Sequence, residues 1–190
     1  MKTKFIGRKE FLNKLKKQVD TDEMSFSLIY GRRRVGKSEL VKETLRCAKE
    51  KSIYFECKQV AEESNVASLS AIVSDVMELP KLGYTDIESL LDYIFKLAVN
   101  EKLILVLDEY PYLRESVKGL DSILQSLVDR YRESSKLKVI ILGSYVEIMR
   151  SLLEHSNPLY GRVDLTIDLK QMDYYESALF YPEFSPEDKV

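Results

Sequence analysis

The sequence predicts an α/β fold in which helices cover both faces of a five-stranded parallel sheet. Two segments, "LILVL" at residues 103–107 and "LKVIIL" at residues 137–142, are almost continuously apolar, as expected of strands that are buried on both faces. Segments with helical spacing of their apolar residues alternate with the strands, which is typical of parallel strands joined by helical crossovers. We therefore predict one domain of three layers, in which the sheet lies between two layers of helices.

Five segments rich in β-branched and aliphatic residues are predicted to be strands. They are residues 25–30, 52–56, 103–107, 137–142 and 163–169. Apolar residues recur at helical spacing between these strands and before the first one. The predicted helical stretches are residues 11–19, 40–48, 69–76, 87–98 and 120–131. Thr85 and Glu88 have the spacing of a capping box, which predicts where the helix over residues 87–98 begins.

The composition is that of a soluble domain with a full apolar core. The 190 residues are 45% hydrophobic and 32% charged, and no apolar run is long enough for a membrane span. The net charge of −2 gives no overall basic field for nonspecific nucleic-acid binding. Cys47 and Cys57 lack metal-site spacing and the only histidine is His155, so we predict buried thiols in a reducing cytoplasm rather than a zinc site or disulfides.

The loop after the first strand carries the strongest motif. Residues 31–38, "GRRRVGKS", satisfy G-x-x-x-x-G-K-[ST] between a predicted strand and a predicted helix. Backbone N–H groups of such a loop surround a phosphate, Lys37 would reach the β- and γ-phosphates, and the Ser38 hydroxyl would coordinate Mg²⁺. An ordinary glycine turn is the alternative. The predicted nucleotide-binding residues here are Gly31, Arg32, Arg33, Arg34, Val35, Gly36, Lys37, Ser38 and Glu39.

The arginines of the loop are less informative than its glycines and lysine. One of Arg32, Arg33 and Arg34 could contact phosphate or a neighbouring acid, whereas at least two of them are expected to be solvated.

Acidic residues follow the third strand, where ligands of open α/β sheets collect. In "LILVLDEY", Asp108 would hold Mg²⁺ through water, and Glu109 would be the general base that polarises the attacking water. The alternative is an acidic turn after a core strand. A base at this place favours hydrolysis over phosphate transfer to another acceptor. The Asn/Thr-Lys-x-Asp motif for guanine is absent, which favours ATP.

Two further residues are candidates for catalysis. Ser144, at the end of the fourth strand, could hydrogen-bond the γ-phosphate or the water, or could only be the N-cap of the next helix. Arg162, just before the fifth strand, could act as an arginine finger across a subunit interface, or could only pair with Asp164 or a neighbour.

Five blocks of sequence together resemble the archaeal-type ATPases, a branch of the AAA-like P-loop NTPases related to STAND signalling ATPases and origin-recognition ATPases. The blocks are "FIGRKEFLNKL", "YGRRRVGKSEL", "LILVLDEYPYL", "ILGSYVEIM" and "LYGRVDLTIDL". The resemblance implies a P-loop NTPase sheet of order 5-1-4-3-2 and the cofactors ATP and Mg²⁺. It also implies that Ile6, Gly7 and Arg8 line the base pocket, that Ser144 is the sensor and that Arg162 lies in the finger region.

The same resemblance predicts the domain organisation. Residues 1–170 would be the ATPase core and residues 171–190 the start of a helical lid, followed in the family by a winged helix and often a further domain. Asp173 and Glu176 have capping-box spacing, and "SPED" at residues 185–188 has the features of a helix start. We therefore expect this chain to be the N-terminal piece of a longer polypeptide.

Three functions stay open at this level. The first is a cytoplasmic Mg²⁺-dependent ATPase whose cycle of ATP and ADP moves attached domains. The second is a nucleotide-dependent switch or scaffold with little turnover, and the third is a small-molecule kinase, which would need an acceptor pocket and a mobile lid. A DNA or protein partner would act through the C-terminal domains, self-association would follow from an arginine finger, and no membrane is expected as partner.

Overall fold

The computed structural model describes residues 5–180 and shows one parallel sheet of five strands. The strands are β1 (Ser25–Tyr30), β2 (Lys51–Glu56), β3 (Leu103–Asp108), β4 (Leu137–Gly143) and β5 (Leu165–Asp168). Their order across the sheet is β2-β3-β4-β1-β5. Read from the opposite edge, this is the predicted order 5-1-4-3-2, and the predicted fold class is confirmed.

Helices lie on both faces of the sheet. They are α1 (Lys9–Asp20), α2 (Lys37–Cys47), α3 (Glu62–Val76), α4 (Ile87–Asn100), α5 (Tyr110–Ser116), α6 (Leu120–Tyr131), α7 (Val146–Ser151) and α8 (Tyr174–Ala178). Alternate residues of β3 enter separate apolar layers: Leu105 packs in the layer that contains α3, α4 and α6, and Ile104 packs in the layer that contains α1 and α2. Because both layers are buried, the central strands are apolar throughout.

The fifth strand is shorter than the predicted residues 163–169. The Asp164 carboxylate accepts a hydrogen bond from the Phe26 N–H at 2.7 Å, and Arg132 donates to the same carboxylate. This side chain takes the place of a backbone carbonyl in the ladder, and regular pairing starts only at Leu165.

The predicted capping box at Thr85 and Glu88 is wrong by one residue. Asp86 is the N-cap of α4, and its side chain accepts from the Ser89 N–H at 2.8 Å. The Ile87 N–H, the first of the helix, donates to Glu62 at 3.0 Å. With Asp86 as the N-cap, Ile87 is the first residue of the helix, and it is buried as the first member of the apolar stripe.

The predicted cap near the end of the described chain is present in part. Asp173 accepts from the Glu176 N–H at 2.7 Å and caps α8, but the Glu176 carboxylate turns to Arg8 instead of reaching back to the cap. The predicted helix start at residues 185–188 lies outside the described residues.

The cysteines differ in burial. Cys57 is buried as predicted, whereas Cys47, the last residue of α2, is exposed; both are free thiols. Between residues 5 and 180, no helix combines the length and the apolarity that crossing a membrane requires.

Candidate nucleotide site

The candidate site lies where β1, β4 and β3 end side by side. Tyr30, the last residue of β1, pairs with Gly143 at the end of β4, and β4 pairs with β3 along its length. The glycine-rich loop, the Asp108-Glu109 pair and Ser144 each follow one of these strands directly. The parallel topology therefore brings the three sequence motifs to one corner.

The glycines of the loop have separate structural reasons. A Cβ added at Gly31 would lie 2.1 Å from the carbonyl oxygen of Leu169, so only glycine fits against the end of β5. Gly36 has φ 95°, in the left-handed region, and is the N-cap of α2 without any side-chain hydrogen bond to the cap. The amides of the first turn of α2 have no intrahelical partners, and a phosphate is the ligand that such a helix start favours.

Lys37 extends into the loop and is almost completely buried, with 5% of its surface exposed. Its ammonium donates to the carbonyl oxygens of Gly31 at 2.9 Å and Arg32 at 3.1 Å and to Ser144 Oγ at 2.9 Å. Burial lowers the pKa of Lys37, while nearby Glu109 and Asp108 raise it. These three hydrogen-bond partners are uncharged, so the loop holds a buried cation to which a phosphate would be a suitable counter-ion.

Ser38 and Asp108 are in contact beside Lys37. Ser38 Oγ donates to Asp108 Oδ2 at 2.7 Å, and the hydroxyl of Tyr54 in β2 donates to the same oxygen. Burial and the Asp108 carboxylate raise the pKa of Tyr54, which keeps the phenol protonated. A hydroxyl and a carboxylate at this separation are hard oxygen donors of the kind that Mg²⁺ prefers, so the residues present fit that ion.

Glu109 and Ser144 form the second pair of contacting residues at the site. The Ser144 N–H donates to Glu109 Oε2 at 3.0 Å, and the Ser144 hydroxyl donates to Glu109 Oε1. Glu109 has φ 53°, in the left-handed region, and precedes α5. The N-cap of α7 is Tyr145, so the prediction that Ser144 only caps this helix is wrong. Ser144 instead connects the Lys37 ammonium to the Glu109 carboxylate.

The three loop arginines are exposed. Arg33 donates to the Tyr112 hydroxyl at 2.9 Å, and its guanidinium lies 5.9 Å from the ring centre of Tyr145. Arg32 lines a cleft of about 580 Å³ between the loop, α7 and the end of β5. Arg34 has φ 66°.

Among the predicted nucleotide-binding residues, Val35 and Glu39 differ in burial. Val35 packs on the apolar layer under α2, whereas Glu39 is exposed and pairs with Lys42 at 3.6 Å and Arg46 at 3.8 Å. The structure therefore places the Glu39 side chain outside the corner.

The "FIGR" segment lies against the last described helix. Arg8 is 6% exposed, donates through its guanidinium to the Lys170 carbonyl, and donates from its backbone N–H to Glu176 at 2.8 Å. A Cβ on Gly7 would lie 3.3 Å from Met172, and Ile6 is half-buried. Lys170 also lines the cleft beside the loop, so this segment flanks that cleft.

Arg162 lies apart from the other predicted residues. Asp164, two residues later, bonds Phe26 near the amino-terminal end of β1, so Arg162 lies at the end of the strands opposite the end that carries the loop. Its guanidinium donates twice to Asp129 of α6, at 2.8 and 2.7 Å. The predicted alternative partner, Asp164, binds Arg132 instead.

Sequence reasoning missed Tyr54. Its strand was predicted, but nothing in "SIYFE" distinguishes a tyrosine that packs from one that bonds a neighbouring strand. The role of Tyr54 follows only from the strand register: β2 lies beside β3, and Glu56 pairs with Asp108. A residue two positions before Glu56 therefore faces the same side as Asp108.

The sheet order and the loop between β1 and α2 define the chain as a P-loop NTPase fold. The chain belongs to the family described as the ATPase domain predominantly from Archaea, which matches residues 5–188. The archaeal-type resemblance is confirmed, and membership of an ATPase family implies nucleotide binding.

Known proteins agree with this placement. An uncharacterized protein of Methanocaldococcus jannaschii, MJECL04, is 28% identical over 187 residues, which cover 98% of this chain and 40% of that protein. The Walker-type ATPase PABY2304 of Pyrococcus abyssi has a similar structure, with TM-score 0.66, 20% identity, and coverage of 96% of this chain and 61% of that one.

Two Aeropyrum pernix proteins share the fold. The Aeropyrum pernix ORC2 protein, in ADPNP and ADP complexes, gives TM-score 0.65 at 17% identity, covering 93% of this chain and 52% of that one. The Aeropyrum pernix ORC1 protein in complex with DNA gives 0.67 at 13% identity, with 94% and 49% covered. The chain thus spans well under two thirds of the length of these proteins.

Proposed function

We propose that this chain binds ATP with Mg²⁺ and hydrolyses it. The observation that carries the proposal is the continuous set of hydrogen bonds from Glu109 through Ser144 to Lys37, beside the Ser38–Asp108 contact. These are the groups that phosphate binding, metal binding and water activation need within one corner.

Each residue has a distinct part in the proposed reaction. Lys37 and the first amides of α2 bind the β- and γ-phosphates, and Ser38 and Asp108 hold the ion. Mg²⁺ supplies neutralisation of the phosphate charge when bound. Glu109 accepts a proton from the attacking water. The Ser144 hydroxyl and N–H each donate to one oxygen of the Glu109 carboxylate and so orient it.

Nucleotide binding is tested with Lys37→Ala. Removal of the buried ammonium should weaken ATP binding at least tenfold by calorimetry, because no other group replaces its phosphate contacts. The matched control is Lys14→Ala on α1, an exposed lysine that pairs with Glu10 and lies 5.8 Å from the ring centre of Phe11, both in its own helix. Unchanged affinity in Lys37→Ala would exclude the phosphate-loop role.

Hydrolysis is tested with Glu109→Gln. The variant should keep ATP binding and lose turnover, because the amide retains the shape but cannot accept the proton. Glu115→Gln, in the next turn of α5 and bonded only to Gln59 among its described contacts, is the control and should keep turnover. Wild-type turnover in Glu109→Gln would exclude Glu109 as the base.

The second candidate, a switch with little turnover, is favoured by one observation. Arg162 is held by Asp129 in two hydrogen bonds at the end of the strands opposite the loop. With Arg162 as the arginine finger, hydrolysis would therefore depend on a second subunit. Steady-state turnover of the full-length protein, with and without DNA or protein partners, separates an ATPase from a slow switch.

The role of the module within a larger protein is part of the same proposal. The curated relative is longer than this chain, which covers 40% of it, and one structural neighbour was solved in complex with DNA. We propose that ATP binding and hydrolysis in the cytoplasm move further domains that contact DNA or protein. DNA binding by the full-length protein with ATP, with ADP and without nucleotide tests this coupling.

A further inference from the structure

The hydroxyl of Tyr54 lies in the proposed metal corner, although no sequence motif includes it. β2 pairs with β3 so that Tyr54 is opposite Val106 and Glu56 is opposite Asp108. Two residues along a strand return to the same face, so the Tyr54 ring is directed along the sheet toward the Asp108 carboxylate and under α2. Lys42 of α2 covers that ring, with its ammonium 5.7 Å from the ring centre.

Asp108 has donors on both carboxylate oxygens. Its Oδ1 accepts from the Glu109 N–H at 2.9 Å, and its Oδ2 accepts from Ser38 Oγ at 2.7 Å and from the Tyr54 hydroxyl. The Glu109 amide is fixed by the backbone, and Ser38 is itself a proposed metal ligand. Tyr54 is therefore the side-chain donor among these three that is not itself a proposed metal ligand.

We propose that Tyr54 is a positioning residue for Mg²⁺-nucleotide binding. Its hydroxyl fixes the Asp108 carboxylate with Oδ2 toward Ser38, so that the serine and the carboxylate present their oxygens to the ion together. The role assigned to Tyr54 is to hold Asp108 through this hydrogen bond, not to coordinate the ion. The inference rests on the proposed function, because it assigns Asp108 and Ser38 to the metal.

The experiment compares Mg²⁺ titrations of nucleotide binding in full-length wild-type protein and Tyr54→Phe. A fluorescent ATP analogue is titrated at fixed Mg²⁺ concentrations and in EDTA. Loss of one hydrogen bond to a charged group should raise the Mg²⁺ concentration for half-maximal binding about tenfold or more. Affinity in EDTA should stay at the wild-type value, and saturating Mg²⁺ should restore the wild-type turnover number.

Tyr131→Phe is the matched control. The Tyr131 hydroxyl also donates to a carboxylate, Asp92 at 2.9 Å, but on the α4–α6 side of the molecule. This variant removes the same atom and the same type of bond away from the corner. It should leave the Mg²⁺ titration unchanged, and thermal unfolding of both variants measures any loss of folding.

Three outcomes overturn the inference. A Tyr54→Phe titration that matches wild type removes the positioning role, and equal losses of affinity with Mg²⁺ and with EDTA assign the residue to packing alone. An equal Mg²⁺ shift in Tyr131→Phe makes the effect a general one. Failure of the proposed function is visible separately, because wild-type protein itself would then bind no nucleotide.

Discussion

At the scale of single residues, Gly31 shows how close contact adds to backbone conformation, here φ 155°, in selecting glycine. The loop leaves β1 where β5 ends, and the space for a side chain at Gly31 is filled by the Leu169 carbonyl oxygen. The first glycine of the motif is thus required by the sheet as much as by a phosphate. Gly36, in contrast, has no atom within 4 Å of an added Cβ, and its requirement is the positive φ.

Gly31→Ala should therefore destabilise the fold by about 2–3 kcal/mol, because the overlap is with backbone that cannot turn aside. Chemical denaturation measures the loss. Gly83→Ala is the control, since an added Cβ there meets nothing within 4 Å. If both alanine variants unfold at the same denaturant concentration as wild type, the close approach of Gly31 to Leu169 is incorrect.

Lys138 is the second residue whose surroundings give a measurable effect. It is fully buried in β4, and its ammonium donates to Thr21 Oγ1 at 2.6 Å and to the Glu23 carbonyl. Burial, followed by the charge of Lys102, lowers its pKa to about 8, while Asp22, Glu23 and Asp164 raise it. The unfolded chain, with the ordinary value of 10.5, binds the proton more tightly than the folded one.

This difference predicts a pH dependence with a definite sign. Between about pH 8 and 10.5 the unfolded state carries more protons, so the contribution of Lys138 to stability rises with pH. Relative to Lys138→Met, which does not titrate, wild type should gain about 1 kcal/mol in unfolding free energy between pH 7 and pH 9. Parallel denaturation curves of the two proteins at both pH values test it, and a constant difference would contradict the lowered pKa.

At the scale of elements, α4 shows why boundaries are harder to predict than helices. The apolar stripe identified the helix, but Thr85 and Asp86 are both acceptable caps in the sequence. The choice depends on Glu62 of α3, which accepts the Ile87 N–H, and on burial of Ile87. These are tertiary contacts that sequence spacing does not contain.

Asp86→Ala should therefore cost about 1 kcal/mol of unfolding free energy, through loss of the bond to the Ser89 N–H. Thr85→Ala, the neighbouring position, should change it by less than about 0.5 kcal/mol. Thermal unfolding of the two variants decides between the caps. A larger loss in Thr85→Ala would restore the capping box that the sequence suggested.

The helix α6 joins the candidate site to the distant arginine. Asp121, in its first turn, accepts from the Tyr110 hydroxyl at 2.6 Å and from Asn157 Nδ2 at 2.9 Å. Tyr110 follows Glu109 directly, and Asn157 lies in the segment that leads to Arg162. Two turns later, Asp129 binds Arg162 itself. One helix thus bonds both the residue that follows the proposed base and the segment that contains the proposed finger.

At the scale of the whole molecule, the sequence was sufficient for the fold and for the corner where the motifs meet. The strand order that the family resemblance implied placed the three motifs at neighbouring strand ends, where Lys37 contacts Ser144 and Ser38 contacts Asp108. Tyr54 could not be predicted in the same way, because its role depends on strand register and side-chain direction. The Asp129 partner of Arg162 likewise depends on how α6 packs, which apolar spacing alone does not specify.

Arg162 gives the prediction that belongs to the assembly. Because Arg162 lies at the amino-terminal end of the strands, opposite the end that carries Lys37, it can reach a phosphate only in a second copy of the chain. Arg162→Ala should leave ATP affinity unchanged and lower turnover about a thousandfold, the range of arginine fingers. Arg130→Ala on α6, the helix that carries Asp129, removes an arginine–carboxylate pair with Asp92 and is the control.

Mixing variants distinguishes a finger in trans from a structural ion pair. Glu109→Gln subunits lack the base but retain Arg162, and Arg162→Ala subunits lack the finger but retain Glu109. If Arg162 acts across an interface, a mixture of the two full-length variants should regain part of the wild-type turnover, and self-association should be visible by sedimentation with ATP. A mixture as inactive as its components would assign Arg162 to its bond with Asp129 alone.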